Sequence, residues 1–179
     1  MSDVQVHDKH FSPYLSPEKI AERVKELGSL VSKDYEGRNP LLISILNGSF
    51  VFTADLMRAM SLDTEVQFVR VSSYGNEMKS GGKMRQLIGL DQSIEGQDIL
   101  IIEDIVDTGN TLTWMRAYLA DLKPASVQCV SLLFKKECFV SGEPPEYFGF
   151  EIPDKFVVGY GLDYAQKGRF LDSIYQLKS

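Results

Sequence analysis

The chain has 179 residues, 44% of them hydrophobic and 25% charged, the balance of a soluble globular protein, long enough for one real core and short for two domains. Its 19 basic and 25 acidic side chains leave a net charge of −6, which argues against a nucleic-acid partner, whose usual footprint is a basic face. No signal peptide and no apolar stretch of bilayer-spanning length is read in it, so no membrane partner is expected and the cytoplasm is the expected compartment.

Ser16-Pro17 reads as an N-cap with proline in the first turn, and Ile20, Val24, Leu27 and Val31 recur at helical spacing, predicting an amphipathic helix that ends near Tyr35. Leu41 to Leu46 is a short apolar strand, followed by Asn47-Gly48-Ser49 and a helix through about Met60. Glu65 to Ser72 is the next strand. Segment 73–86 comes after it, opened by Ser73-Tyr74-Gly75-Asn76 and carrying Lys79, Gly81, Gly82, Lys83 and Arg85. By its residues alone it reads equally as a solvated loop or as a glycine-hinged lid over a polyphosphate. Ile99 to Ile102 is a strand, Leu112, Met115, Leu119 and Leu122 stripe the helix that follows, and Trp114 packs beside that stripe. Val127 to Phe134 and Phe156 to Tyr160 are the last expected strands. Strands alternating with helices predict an α/β fold, a mostly parallel twisted sheet covered on both faces.

Cys129 and Cys138 form neither a metal-ligand spacing nor a disulfide framework, and Cys129, inside an apolar run, reads as buried and reduced. His7 and His10 sit in a polar stretch without the other ligands a zinc site needs.

The chemistry concentrates in Ile99 to Thr111. Four apolar residues read as a strand buried on both faces, and Glu103-Asp104 then stand near its C-terminal end, where open α/β sheets place their ligands. Asp107-Thr108-Gly109-Asn110-Thr111 is a small, hydroxyl-rich turn leading into a helix. It can aim backbone N–H groups and two hydroxyls at one anion, helped by the positive end of the helix dipole. An anion cradle beside two acids suits a sugar phosphate, although an ordinary βα junction would also carry such residues. No Gly-Lys-Ser/Thr and no Gly-x-Gly-x-x-Gly follows, which excludes a Walker A loop and a dinucleotide fingerprint.

Glu103-Asp104 with Asp107 to Thr111 resembles the motif by which type I phosphoribosyltransferases bind 5-phosphoribosyl 1-pyrophosphate. Leu132-Leu133-Phe134-Lys135-Lys136 and the stretch Gly149 to Tyr164 are similar to the purine-binding segments of the hypoxanthine-guanine branch, in its bacterial form. The likeness runs from about Leu41 to Arg169. It implies one domain over 1–179, with a flexible catalytic loop at about 73–86 and a small hood from the N-terminal segment and about 136–179. It also implies a purine salvage enzyme, a pentosyltransferase that uses Mg2+, moves the phosphoribosyl group to N9 of hypoxanthine or guanine, and forms a homodimer or homotetramer. A transferase for xanthine is the nearest alternative; a pyrimidine-responsive RNA-binding regulator on the same motif would need a basic face.

The resemblance implies the following roles. Asp107, Thr108, Gly109, Asn110 and Thr111 hold the 5′-phosphate, and Asp107 also lies near purine N7 as general base. Glu103 and Asp104 face the ribose hydroxyls, directly or through magnesium. Asn47, Gly48, Ser73, Tyr74 and Arg169 contact pyrophosphate, the loop Leu46-Asn47-Gly48 with a non-proline cis peptide. Lys135 reaches the 6-oxo group, Phe156 stacks on the ring and Val157 offers backbone groups to the base. Asp163 lies in the purine-binding stretch and holds a second magnesium on pyrophosphate. Strand alternation lets only one of Lys135 and Lys136 reach the base. Two positions depart from the family pattern: Asn47 stands where Lys or Arg is frequent, and Asn110 where the animal enzymes have Lys.

Overall fold

The computed structural model describes residues 2–74 and 83–178, with backbone alone at 72–74 and 83–87. Three helices, α1 (Pro17–Asp34), α2 (Phe50–Ala59) and α3 (Asn110–Ala120), accompany ten strands among the described residues. These are β1 (Val4–Val6), β2 (Lys9–Leu15), β3 (Leu41–Leu46), β4 (Val66–Tyr74), β5 (Lys83–Ile88), β6 (Asp98–Val106), β7 (Ser126–Phe134), β8 (Tyr147–Glu151), β9 (Val157–Val158) and β10 (Ile174–Leu177). No helix among them is long and apolar enough to cross a membrane.

The main sheet runs β5-β4-β3-β6-β7-β8. The strands from β4 to β8 in that order are parallel, and β5 lies antiparallel at the edge. Side-chain alternation sends Leu42, Leu100, Ile102, Val130 and Leu132 to the face covered by α1 and α2. Leu41, Ile43, Ile99, Ile101 and Cys129 go to the face covered by α3. A strand flanked in this way is apolar on both faces over its length between the helices, which is why Leu41–Ile43 and Ile99–Ile102 show no polar alternation. The expected α/β architecture with a parallel sheet is therefore the observed one. Ser16 caps α1 as expected, its side chain accepting from the Lys19 N–H, and Ile20, Val24, Leu27 and Val31 are buried.

The two ends of the chain meet in a second sheet, antiparallel in the order β1-β2-β10-β9. Its small core holds Val6, Phe11, Val158 and Tyr175. The expected strand Phe156 to Tyr160 shrinks here to Val157–Val158, and it belongs to this sheet rather than the parallel one. Gly159, Tyr160 and Gly161 all take positive φ, +100°, +50° and +97°, and no strand continues through that conformation.

Two further readings change. Leu122 lies beyond the end of α3 and is 38% exposed, so only Leu112, Met115 and Leu119 form the buried stripe. Ser73 and Tyr74 extend β4 and pair with Met84 and Lys83 of β5, so both ends of segment 73–86 form an antiparallel ribbon; residues 75–82, the middle of the expected catalytic loop, lie outside the described residues. At the other edge Arg23 of α1 donates to the carbonyls of Gly149 (2.8 Å) and Phe148 (3.0 Å), covering β8.

α1 crosses α2 at Gly28, where a Cβ would come within 2.7 Å of the Ala59 backbone carbon. Alanine inside a helix normally gains about 0.5–1 kcal/mol over glycine. At this crossing overpacking should outweigh that gain, at about 1–3 kcal/mol. Gly28→Ala should therefore lower the urea midpoint at unchanged m-value; a raised midpoint would mean that the helices separate freely.

Candidate active site

The parallel strands β3, β6 and β7 end together, and the segments that leave them build the site. The turn after β6 is shaped by Gly109, whose φ of +86° excludes most side chains. A Cβ there would also lie 2.4 Å from the Phe139 ring and 2.5 Å from the Ser141 carbonyl oxygen. Segment 139–141 backs the turn: the Val140 N–H donates to Thr108 O (3.1 Å) and the Thr113 hydroxyl to Ser141 O (3.0 Å). The first bond within α3 runs from Thr113 N–H to Gly109 O at 2.9 Å. The N–H groups of Asn110, Thr111 and Leu112 therefore have no helical acceptor, and Thr108 and Asn110 are exposed beside them. Backbone donors and helix dipole together make an anion cradle at Asp107 to Thr111.

Glu103 is 5% exposed and Asp104 partly so. Burial, then the Asp104 charge, lifts the Glu103 carboxyl well above its usual range. Burial also lifts Asp104, to about 6, although the Ile105 N–H donates to its Oδ1 at 2.9 Å. None of the ion pairs among the described residues involves either acid, although the Arg169 charge acts on Asp104 from a distance, and together the two acids offer hard-oxygen donors.

Asp104 Oδ2 presses against the loop after β3, where a Cβ on Gly48 would fall 1.5 Å from it. The Leu46–Asn47 peptide of this loop is cis. Behind it Ser44, Ser49 and Thr53 form a buried hydroxyl cluster, Ser44 Oγ lying 2.8 Å from Ser49 Oγ and 2.7 Å from Thr53 Oγ1. On its other side a Cβ on Gly161 would come within 2.2 Å of Gly48 O, so the segment after β9 packs on the loop by backbone alone. That segment is fixed by Tyr160, whose hydroxyl donates to Asp55 of α2 at 2.5 Å. It is also fixed by Arg169, which donates to Gly161 O at 2.8 Å and pairs with Asp163 at 2.7 Å. Asp163 accepts the Gln166 N–H as well, so it is a turn residue and an ion-pair partner at once. Among the described residues Glu103, Asp104 and Asp163 do not converge as one ligand group; Asp107, Cys138 and Asp154 do, with ligand atoms within 4.8 Å of one another.

Lys135 follows β7 directly and is buried, while Lys136 is exposed. Lys136 lies in a single 3-10 turn, Lys136–Cys138, so the turn and not strand alternation separates the two lysines. The Lys135 ammonium donates to Asp107 Oδ2 and Asp154 Oδ1, both at 3.1 Å. Burial opposes its charge, yet the hydrogen bonds to Asp154 and Asp107 hold its pKa above the ordinary lysine value. Phe156 is 45% exposed, its ring 5.9 Å from that of Tyr164 and 6.3 Å from that of Phe11, so one face is available for stacking. The Leu177 N–H donates to Phe156 O, which makes 156 and 177 a hydrogen-bonded pair. The next pair, Val157 with Gln176, is then of the open type, and the N–H and C=O of Val157 point off the free edge of β9. Ser73 and Tyr74 are described only as backbone within β4. Asp154, Tyr160 and Asp55 escaped the sequence reading: Asp154 lies inside the purine-like stretch, but no local pattern joins it to Lys135, 19 residues away.

The acidic pair has a measurable cost. A carboxyl whose pKa is lifted in the folded state adds stability while protonated, and that contribution disappears as pH rises through the folded value. For Asp104 the window is 3.8 to about 6. The full shift corresponds to about 3 kcal/mol, and partial exposure reduces it to about 1–2 kcal/mol. Asp104→Asn should therefore unfold at higher urea than the parent at pH 8 and at nearly the same urea at pH 3.5. Equal midpoints at pH 8 would show that the acid is not strained by burial.

A family model described as phosphoribosyl transferase domain matches residues 12–165. The hypoxanthine-guanine phosphoribosyltransferase of Lactococcus lactis subsp. lactis is 43% identical over 92% of this chain and 89% of its own length. That of Bacillus subtilis is also 43% identical, over 92% and 91%. The crystal structure of a hypoxanthine phosphoribosyltransferase from Staphylococcus aureus superposes with a TM-score of 0.90 at 40% identity, covering 93% of this chain and 91% of that one. The chain belongs to the phosphoribosyl transferase family, among its hypoxanthine-guanine phosphoribosyltransferases.

Proposed function

We propose that this enzyme transfers the 5-phosphoribosyl group from 5-phosphoribosyl 1-pyrophosphate to N9 of hypoxanthine or guanine, forming IMP or GMP and pyrophosphate. The observation that carries the reading is the buried Lys135 ammonium 3.1 Å from the Asp107 carboxylate, at the foot of the anion cradle. It sets a donor for an exocyclic carbonyl beside an acceptor for a ring N–H, and both beside a phosphate site. Purine N9 displaces pyrophosphate at ribose C1, so the site must hold the partners in line and stabilise charge on the leaving group.

In this reading Asp107 to Thr111 hold the 5′-phosphate through backbone and hydroxyl donors. Asp107 accepts the N7 proton as N9 bonds to the sugar. The Lys135 ammonium, with three N–H donors, turns one of them to the 6-oxo group. Phe156 stacks on the ring and the outward N–H and C=O of Val157 read its edge. Asn47, Gly48 and Arg169, with Ser73 and Tyr74 from β4, face pyrophosphate. Glu103 and Asp104 suit one magnesium ion by their oxygen donors, neither held in an ion pair; Asp163, with lone pairs left beyond Arg169 and Gln166, suits a second. Bound magnesium supplies charge neutralisation to the phosphoryl oxygens. The substrates are small molecules handled in the cytoplasm, and the enzyme acts as a homodimer or homotetramer.

The direct test is magnesium-dependent pyrophosphate release with hypoxanthine, guanine, xanthine and adenine in turn. Hypoxanthine and guanine should be used. Adenine places an amino group opposite Lys135 and leaves the ammonium without an acceptor, so its kcat/KM should be at least ~10³-fold lower. Lys135→Ala should lower use of the oxopurines and narrow that gap. Good turnover of adenine, or damage from Lys136→Ala with Lys135→Ala silent, would overturn the base pocket assigned here.

Asp107→Asn keeps the shape of the cradle but cannot accept the N7 proton. Turnover should fall by about 10²-fold or more with substrate binding largely kept. Near-parental turnover would remove Asp107 from the role of base.

A further inference from the structure

We infer that Asp154 is a positioning residue for purine recognition, holding Lys135 so that its ammonium can leave Asp107 for the 6-oxo group of the incoming base. The inference rests on the function proposed above and concerns a residue that function does not itself require.

A carboxylate oxygen that already accepts from an ammonium is partly occupied and less open to a second donor. Asp107 Oδ2 is in that position, since Lys135 donates to it at 3.1 Å. For Asp107 to act on N7, part of the lysine's charge must be drawn elsewhere. With Asp107 as sole partner, that movement would strand an ammonium whose side chain is only 8% exposed.

Asp154 supplies a second counter-charge at the same 3.1 Å. Its own side chain is 68% exposed, so its other oxygen stays hydrated and the lysine can pivot without losing an anion. The segment carrying it is firmly placed: Ile152 is 3% exposed and its N–H donates to Phe134 O at 2.9 Å, on the strand that delivers Lys135. The Cys138 thiol lies close by, its sulfur within 4.8 Å of an Asp154 oxygen. The charged or titratable groups around the ammonium are therefore Asp107 from the turn after β6, Asp154 from the segment after β8, and Cys138 behind Asp154.

Asp154 is exposed, so its substitution leaves the core intact. Asp154→Asn should raise KM for hypoxanthine about tenfold while KM for 5-phosphoribosyl 1-pyrophosphate changes by less than about twofold. With one carboxylate gone, Lys135 gives up its proton more readily. The alkaline fall of kcat/KM for hypoxanthine should then move to lower pH, and Asp154→Glu should restore most of the parental profile. Either an unchanged hypoxanthine KM with an unchanged alkaline limb, or an equal rise in KM for both substrates, would overturn the role. The parent enzyme in the same series separates the two claims. No turnover of hypoxanthine by the parent defeats the proposed function, whereas parental turnover with an indifferent Asp154→Asn defeats only this inference.

Discussion

The site depends on one change of character along β6. Ile99 to Ile102 are clamped between β3 and β7 by parallel register, Leu41 beside Ile99 on one side and Val127 beside it on the other, and both faces are roofed by helices. The apolar residues Ile99 to Ile102 satisfy that position at little cost. Glu103 and Asp104 follow directly, past the last β3 partner but still on the strand that pairs with β7 as far as Val106. The burial that lifts both carboxyls is thus set by the placement of the strand, and the turn of Asp107 to Thr111 is presented at a fixed height above the sheet.

Lys135 stands in a similar relation to β7. The strand ends at Phe134 with its face buried, and the next side chain inherits that burial although it carries a charge. Two carboxylates make the position tolerable, one from the phosphate turn and one from the segment after β8. A buried cation flanked by anions from separate segments is costly to disturb on one side only. It therefore ties the turn after β6 to the segment after β8 through one side chain.

Much of this was legible in the chain because the signals were local. Strand β6, the cap of α1 at Ser16 and the Gly109 turn each follow from a few neighbouring residues. Lys135, Phe156 and Val157 were legible only through resemblance, since a lysine at a strand end or an isolated Phe carries no chemistry alone. What escaped was set by contact at long range. The short strands β1, β2 and β10 are stable only against each other, so their sequences announce little. Asp154 to Lys135 and Tyr160 to Asp55 are side-chain meetings across the fold. The end of β9 depended on three consecutive positive-φ residues, one of them a tyrosine that sequence preference would place in the strand.

The crowding around Gly48 has a consequence for how this enzyme can diversify. Gly48 has Asp104 on one side and the Gly161 backbone on the other, and Ser49 is locked into buried hydroxyl bonds. Neither position has space for a new side chain. Asn47, partly exposed between them and β3, has. Variation in charge on this loop is therefore channelled to residue 47, where this chain carries an amide. The loop behaves as a socket with one exchangeable pin; under the proposed function, the handling of the leaving group is retuned at that residue while the walls around it stay fixed.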